Sequence, residues 1–239
     1  MSDAYAEASD PVSLREERGQ VETAHRALRQ VERLVAPGVI CDVGCWTGSF
    51  LVAAEERGWR AVGIEPSAWA SERARQRGID ARCAELDGAE LDAGSCSLVV
   101  MGDVLEHLLD PGKALAAAAR QLKPRGLVYI TVPDAGSPLA RIMGRRWWSV
   151  LPMHVQYFTR RSMTRLLQAQ GFEVVSMGSH AKMFSAGYYA ERIGGYHPAL
   201  EALTLAALRR LKLESRLVAP DFHDRIAVIA ARRDVQDAA

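Results

Sequence analysis

The stretch VICDVGCWTGSF, from Val39 to Phe50, joins a short apolar run to a turn bounded by two glycines. Such apolar runs are typical of strands that are buried on both faces of a parallel sheet. Gly44 and Gly48 permit a tight turn with positive φ, and a helix can start at Ser49. The stretch therefore predicts a strand, a turn and a helix, which together form the first unit of an α/β sheet.

The alternation of strand and helix patterns continues along the chain. Apolar runs predict strands at 39–43, 60–64, 81–83, 97–101, 127–132, 172–179 and 225–231, and helical spacing predicts helices at 21–35, 49–57, 68–77, 111–122 and 158–170. This order predicts an α/β, Rossmann-like, doubly wound and mostly parallel seven-stranded sheet with a C-terminal antiparallel strand pair. We expect a single domain over 1–239, with residues 1–20 as a flexible tail.

The composition limits the classes of partner. The chain has 30 Lys and Arg against 29 Asp and Glu, a net charge of +1, which argues against a broad nucleic-acid-binding face. The N-terminal residues lack the apolar core of a signal peptide, and no stretch reaches the roughly 20 apolar residues of a membrane-spanning helix. These features predict a cytoplasmic protein that does not bind nucleic acid.

Acidic residues near the glycine turn indicate the kind of ligand. Glu65 ends the second predicted strand about 20 positions after Gly44, where an acidic residue can accept hydrogen bonds from ribose hydroxyls. The turn lacks the three closely spaced glycines that bind a pyrophosphate, and Asp42 precedes it. Asp42 and Glu65 therefore favour a nucleoside ligand that carries positive charge, such as a sulfonium with an ammonium group.

Four segments together resemble the successive motifs of class I methyltransferases that depend on S-adenosylmethionine (SAM). They are DVGCWTGSF at 42–50, VGIEPS at 62–67, DVLEHLLDP at 103–111 and LKPRGLVYITVPD at 122–134, and the similarity continues through HVQYFTRRSMTRLLQAQGF at 154–172. The resemblance is to small-molecule methyltransferases of secondary-metabolite, sugar and quinone pathways. It implies SAM as the cofactor and a small-molecule methyl acceptor as the partner.

The resemblance also implies roles for individual residues. The backbone of the turn at Gly44 and Gly48 would contact the methionine part of SAM, and Glu65 would bind the ribose hydroxyls. Glu85 and Leu86 would border the adenine, and Asp103 would lie near the methionine ammonium and the transferring methyl group. Two residues depart from the family pattern: Trp46 replaces a glycine, and Ser97 stands where aspartate is frequent.

Asp103, Glu106 and His107 share one face if the turn that holds them is helical. Three interpretations stay open: a structural hydrogen-bonding role, His107 as a general base, and a divalent metal site of mixed oxygen and nitrogen ligands. A similar trio occurs in ubiquinone-pathway O-methyltransferases. His154, which precedes Tyr157 and Phe158 on the expected acceptor side, is the second candidate base, with a loop-anchoring role as the alternative.

The segments 135–158 and 180–224 are expected to cover the acceptor side of the site. They hold Arg141, Arg145, Arg146, Trp147, Trp148, Tyr157, Phe184, Tyr188 and Tyr189. An ordinary lid, a site for an anionic substrate and a peripheral membrane contact are all compatible with this composition. An apolar stripe on 200–211 predicts core packing or, as the alternative, a dimer face, so the chain is a monomer or a homodimer.

The function predicted from the sequence is methyl transfer from SAM to a small molecule such as a sugar, quinone, polyketide or lipid-linked glycan. A catalytically silent SAM-binding scaffold is the alternative outside enzymology. A nicotinamide-dependent oxidoreductase is the enzymatic alternative, and the missing middle glycine of the turn argues against it.

Overall fold

A computed structural model describes residues 14–85 and 92–233 of the chain. Within them, seven strands form one sheet in the order β3-β2-β1-β4-β5-β9-β6. These strands are β1 (Val39–Val43), β2 (Arg60–Ile64), β3 (Asp80–Arg82), β4 (Cys96–Gly102), β5 (Leu122–Pro133), β6 (Phe172–Ser179) and β9 (Arg225–Arg232). The strands β1 to β5 pair in parallel, whereas β9 lies antiparallel between β5 and β6. This topology confirms the predicted sheet and its C-terminal antiparallel pair.

Eight α-helices accompany the sheet in the described residues. They are α1 (Glu17–Val31), α2 (Ser49–Glu55), α3 (Ala68–Gln76), α4 (Pro111–Gln121), α5 (Pro138–Met143), α6 (Arg160–Ala169), α7 (Ala186–Gly194) and α8 (Pro198–Arg210). Short 3₁₀ turns at Leu105–His107 and Gly144–Arg146 follow β4 and α5. Two further strands, β7 (Phe184–Ser185) and β8 (Leu217–Val218), pair with each other outside the main sheet.

The core is divided by the sheet into two layers, because successive strand residues point to opposite faces. On one face, Ile40 and Leu98 pack with residues of α1, α2 and α3. On the other face, Cys41 and Val99 pack with residues of α4 and α6. Helices on both faces are the reason that the strands read as continuous apolar runs.

The strand order places a ligand crevice next to β1. Strand β1 pairs with β2 on one side and with β4 on the other, so the connections leave in opposite directions at this point. In such sheets a crevice opens outside the carboxyl ends of the strands. Gly44, Glu65 and Asp103 follow the carboxyl ends of β1, β2 and β4, and the fold therefore brings them to one edge.

Two expectations about the periphery are revised. Within the predicted tail 1–20, Glu16 is buried and α1 begins at Glu17, while residues 1–13 lie outside the described part. The predicted helix at 21–35 is accordingly shifted toward the N-terminus. The stripe on 200–211 does not pack into the core: α8 has no buried residue, and Leu203 is 69% exposed.

Candidate active site

The turn after β1 is built around backbone geometry that glycine permits. Gly44 has φ +72°, and a Cβ atom there would lie 2.7 Å from Cγ2 of Val104. The Gly44 and Cys45 amides both donate to the Ile64 carbonyl, at 2.7 and 3.2 Å. Gly48, with φ +79°, precedes α2. The close approach of Val104 and the positive φ together explain why position 44 is glycine.

Trp46 adopts φ +49°, a conformation that suits the glycine usual in the family and is rare for a bulky side chain. Its ring lies 5.5 Å from that of Trp69 between centroids, and the Arg73 guanidinium stands 5.6 Å from the Trp69 ring. Aromatic pairs of this kind are stabilising. The departure from the family pattern is therefore accompanied by a local ring contact.

Glu65 organises the same turn. One carboxylate oxygen accepts the Trp46 amide at 2.9 Å, and the other accepts the Ser67 amide at 2.8 Å. The side chain is fully buried, and burial raises the pKa of this carboxyl, while the two amides oppose that shift. In this conformation Glu65 holds the backbone of the turn. Its predicted contact with ribose hydroxyls stays a prediction.

Two cavities meet at the edge of the sheet. The larger, of about 350 Å³, extends from the glycine turn to residues of α1 and of the segment after β6. Its lining includes Asp42, Gly44, Trp46, Tyr129 and Asp103. Burial raises the pKa of Asp42, with the charge of Glu65 as the second cause.

The smaller cavity, of about 190 Å³, is lined by Pro66, Ala84 and Glu85 from the ends of β2 and β3. Gly44, Asp103 and His107 border both cavities. Glu85 lines the smaller cavity, and its predicted contact with the adenine stays a prediction; Leu86 lies outside the described residues. The two cavities are therefore neighbours that share Gly44, Asp103 and His107 as wall residues.

Asp103 is the most heavily engaged acidic side chain of the site. Lys182 and Arg225 both donate to its carboxylate, and Thr131 Oγ1 lies 3.3 Å from Oδ1. Burial lowers the pKa of Arg225 to about 10 and also lowers the pKa of Lys182. Asp103 has φ +58°, a left-handed conformation that aspartate tolerates better than most residues.

Glu106, His107 and His154 come together at the 3₁₀ turn. Each offers one ligand atom, and these atoms lie within 4.8 Å of one another. Glu106 is almost fully buried, one of its carboxylate oxygens has no hydrogen-bond partner in the described structure, and burial raises its pKa to about 7. Asp103, the third member of the predicted trio, is instead paired with Lys182 and Arg225.

The two histidines are held by backbone carbonyls. The His107 Nδ1 lies 3.1 Å from the Met153 carbonyl, and the His154 Nδ1 lies 2.8 Å from the Ser149 carbonyl. Since a carbonyl accepts, each Nδ1 donates, and in the neutral ring the basic lone pair is then on Nε2. The rings meet edge to face at 4.7 Å, and burial lowers the pKa of both.

His180 adds a third imidazole to the larger cavity. Its Nδ1 lies 3.3 Å from the Tyr129 hydroxyl, and burial, with Lys182 as a further cause, lowers its pKa to about 4. Burial also raises the pKa of Tyr129 above its usual range. The wall formed by His180 and Tyr129 is therefore neutral at physiological pH.

The cover is fastened to the rest of the fold by polar contacts. The Glu16 carboxylate accepts the Ser185 amide and hydroxyl, each at 2.7 Å, and Thr23 Oγ1 accepts the Met183 amide at 2.7 Å. Trp147 Nε1 donates to Asp224 at 3.0 Å and connects the two cover segments. Among the cover residues named from the sequence, Phe184 lines the larger cavity, whereas Arg145, Arg146 and Trp148 lie at the surface.

Sequence reasoning missed several residues that line the larger cavity or hold Asp103 beside it. Lys182 and Arg225 stand 79 and 122 positions from Asp103 in the chain, and no local pattern links them to it. Gln20 and Thr23 belong to the helix that was expected to be partly a tail. Helical spacing counted from Glu17 would have found α1, but nothing in the sequence indicates that it borders the site.

The fold and the crevice define the class as a Rossmann-like nucleoside-binding protein. The family model for the methyltransferase domain matches residues 15–177, well over half of the chain. The chain therefore belongs to this methyltransferase-domain family. The family and the fold imply SAM as the cofactor, and the described residues include no helix long and apolar enough to cross a membrane.

Relatives and solved structures agree with this assignment. The chain is similar to a probable SAM-dependent methyltransferase of Mycolicibacterium smegmatis, 28% identical over 56% of this chain and 52% of the relative. It is also similar to a ubiquinone biosynthesis O-methyltransferase of Hahella chejuensis, 34% identical over 39% of this chain and 42% of the relative. The chain thus spans about half of these relatives or less.

A solved structure of a SAM-dependent methyltransferase from Archaeoglobus fulgidus superposes with a TM-score of 0.62 at 19% identity. The match covers 93% of this chain and all of the other. At this identity the likeness shows the fold.

Proposed function

We propose that this protein transfers a methyl group from SAM to a small-molecule acceptor bound in the larger cavity. The observation that carries the proposal is the meeting of the two cavities at Gly44, Asp103 and His107. The smaller chamber suits the adenine, and the larger chamber suits the methionine part together with an acceptor. A methyl group at the junction would face the acceptor, and such orientation supplies much of the rate in methyl transfer.

The proton of the acceptor is proposed to leave through His107 or His154. Burial lowers the pKa of both imidazoles, so they are neutral near pH 7 and able to accept a proton. Of the two, His107 borders both cavities and is the nearer to the junction. This arrangement favours an acceptor hydroxyl, and the ubiquinone-pathway relative is named for O-methylation.

A second arrangement for the proton step is supported by the convergence of Glu106, His107 and His154. One carboxylate and two imidazoles, the latter oriented by backbone carbonyls, form a donor set that suits a borderline divalent cation such as Zn²⁺. Bound there, the ion would lower the pKa of an acceptor hydroxyl. In that arrangement the histidines act as ligands, with Glu106 supplying the negative charge.

The test is calorimetric titration of the purified protein with SAM, S-adenosylhomocysteine and NADH, with and without EDTA. We expect micromolar binding of both adenosyl ligands, no heat with NADH, and weaker SAM binding after Asp103→Asn. A change in SAM binding on addition of EDTA would favour the metal arrangement over the free histidine base. Binding of NADH alone would refute the proposal.

A catalytically silent scaffold is separated from an enzyme by turnover. Incubation with SAM and a panel of phenols, sugars and quinols, followed by measurement of S-adenosylhomocysteine, should give product with the wild type and less with His107→Gln. SAM binding without turnover on any acceptor would favour the scaffold.

A further inference from the structure

The cover presents an exposed apolar surface beside the site. The segment 142–157, which runs from the end of α5 through the following turn and loop, exposes six large apolar side chains: Ile142, Trp148, Val150, Leu151, Met153 and Val155. Leu109, at the end of the 3₁₀ turn, is 87% exposed, and Ile142 is 83% exposed. Single exposed apolar residues are ordinary, but a group of them marks an interaction surface. We call these six side chains, together with Leu109, the apolar rim.

The apolar rim borders the entrance of the site. The amides of Val155 and Gln156 donate to the Glu106 carbonyl at 2.9 and 3.0 Å, and the Gln156 side chain reaches the Leu109 carbonyl at 3.4 Å. The Met153 carbonyl accepts from His107, which lines both cavities. A molecule that covers the apolar rim would therefore lie directly against the residues that flank the cavities.

The charge of the segment that holds most of the apolar rim has a single sign, although Asp110 follows Leu109. From residue 135 to residue 172 the chain has six arginines and no Asp, Glu or Lys, although the whole chain is nearly neutral. Arg141, Arg145 and Arg146 are exposed, and none of them forms an ion pair within 14–85 or 92–233. Arginines next to exposed Trp and aliphatic side chains match the headgroup region of an anionic bilayer.

We propose that the apolar rim inserts into the surface of an anionic membrane and that the acceptor is a lipid-soluble molecule that enters the larger cavity from it. The first part stands on the rim itself, and the second part rests on the proposed methyl transfer. A membrane is favoured over a protein partner by the form of the surface: apolar side chains project from the end of α5 and the irregular segment after it, and the charged side chains of 135–172 are all arginines. The exposed leucines of α8 do not have charges of one sign around them, because Glu214 follows the C-terminal end of that helix.

The experiment is co-sedimentation of the full chain with vesicles of phosphatidylcholine alone or with 30% phosphatidylglycerol, at about 50 mM and 500 mM NaCl. We expect sedimentation with the anionic vesicles at low salt and its loss at high salt, since screening shortens the reach of the arginines. Phosphatidylcholine vesicles should retain little protein.

Two test variants, each compared with a matched control variant, make the test specific. Arg145→Glu with Arg146→Glu should weaken binding to anionic vesicles on the order of 30-fold or more, because each arginine near the surface contributes about fivefold. The matched control, Arg33→Glu with Arg60→Glu, changes charge equally at the opposite end of the sheet and should bind as the wild type does. Ile142→Ser with Val150→Ser should weaken binding at low salt, whereas Leu203→Ser on α8 should not.

The membrane proposal is overturned if the wild type does not sediment with anionic vesicles. It is also overturned if a control variant loses vesicle binding as much as the test variant that it matches. A dimer that forms without vesicles and is abolished by Ile142→Ser, in light scattering after gel filtration, would assign the apolar rim to a second copy instead. SAM titration of Ile142→Ser with Val150→Ser, two residues that line neither cavity, keeps the two proposals apart. Unchanged SAM affinity with lost vesicle binding supports the rim, while absence of SAM binding in the wild type refutes the methyl-transfer proposal alone.

Discussion

The two sides of the crevice are built in different ways. On the proposed cofactor side, the turn at Gly44 is held by backbone hydrogen bonds and by the Glu65 carboxylate, which accepts backbone amides from neighbouring segments. At the border with the proposed acceptor side, Asp103 meets Lys182 and Arg225 through side chains from distant parts of the chain. Contacts of the first kind involve the backbone of the turn, whereas contacts of the second kind rest on side chains that can change separately.

We therefore predict that a substitution in the glycine turn disturbs more of the structure than a substitution in the cover does. Backbone geometry cannot be repaired by rotating a side chain, because neighbouring amides and carbonyls are fixed together. Side-chain contacts in the cover can be lost one at a time. The following predictions run from the largest expected effect to the smallest.

Gly44→Ala should have the largest effect. The added methyl group combines a left-handed backbone with a clash against Val104, so the free energy of unfolding should fall by about 4 kcal/mol. SAM binding should be lost in calorimetry. Gly171→Ala is the matched control, since Gly171 also has positive φ, but within the described part of the chain nothing stands within 4 Å of the point that a Cβ atom would occupy there.

The control should cost only about 1 kcal/mol in urea unfolding and should leave SAM affinity unchanged. Equal losses for the two alanines would mean that φ alone, and not the approach of Val104, determines the turn. That result would break the proposed difference between the two sides.

His180→Gln tests the acceptor side through pH. The folded protein holds His180 with a pKa of about 4, below the ordinary value near 6.5, so between these values the unfolded chain binds a proton that the folded chain does not. Wild-type stability should therefore be complete above pH 6.5 and fall by about 3 kcal/mol as the pH drops toward 4. Chemical unfolding at several pH values should show a shallower fall in the variant, and parallel curves would contradict the burial of His180.

The ion pair between Asp103 and Arg225 should contribute less. A double-mutant cycle of Asp103→Asn and Arg225→Gln should give a coupling of about 2 kcal/mol, because Lys182 remains to compensate part of the charge. The matched cycle uses Arg209 and Glu214, whose side chains are 65% and 42% exposed and whose Nε and carboxylate oxygen lie 3.2 Å apart. That pair should couple by less than about 1 kcal/mol. Equal couplings would show that the acceptor-side pair is as solvated as a surface pair.

The sequence predicts the sheet well because burial on both faces produces short apolar runs, and these runs alternate regularly with segments of helical spacing. It also predicts Gly44 and Glu65, since a ligand turn and the next strand end are close in the chain. It does not predict Lys182 or Arg225, because the pairing of β9 with β5 that brings Arg225 to Asp103 is a long-range contact. The apolar stripe of α8 misleads, because helical spacing identifies a face without saying what covers it.

At Trp46, both the backbone conformation and a side-chain contact act on the turn. Its backbone takes the conformation of the family's glycine, which costs a bulky residue about 1 kcal/mol or more, and its ring contact with Trp69 returns about 1 kcal/mol. Trp46→Asn removes the ring but also relieves the backbone, since asparagine tolerates positive φ. Trp69→Ala removes the same ring contact, together with the Arg73 contact, and relieves nothing. We therefore expect urea unfolding to show that Trp46→Asn destabilises less than Trp69→Ala, by about 1 kcal/mol. If Trp46→Asn destabilises more, the indole holds the turn by packing, and the cofactor side depends on a side chain as the acceptor side does.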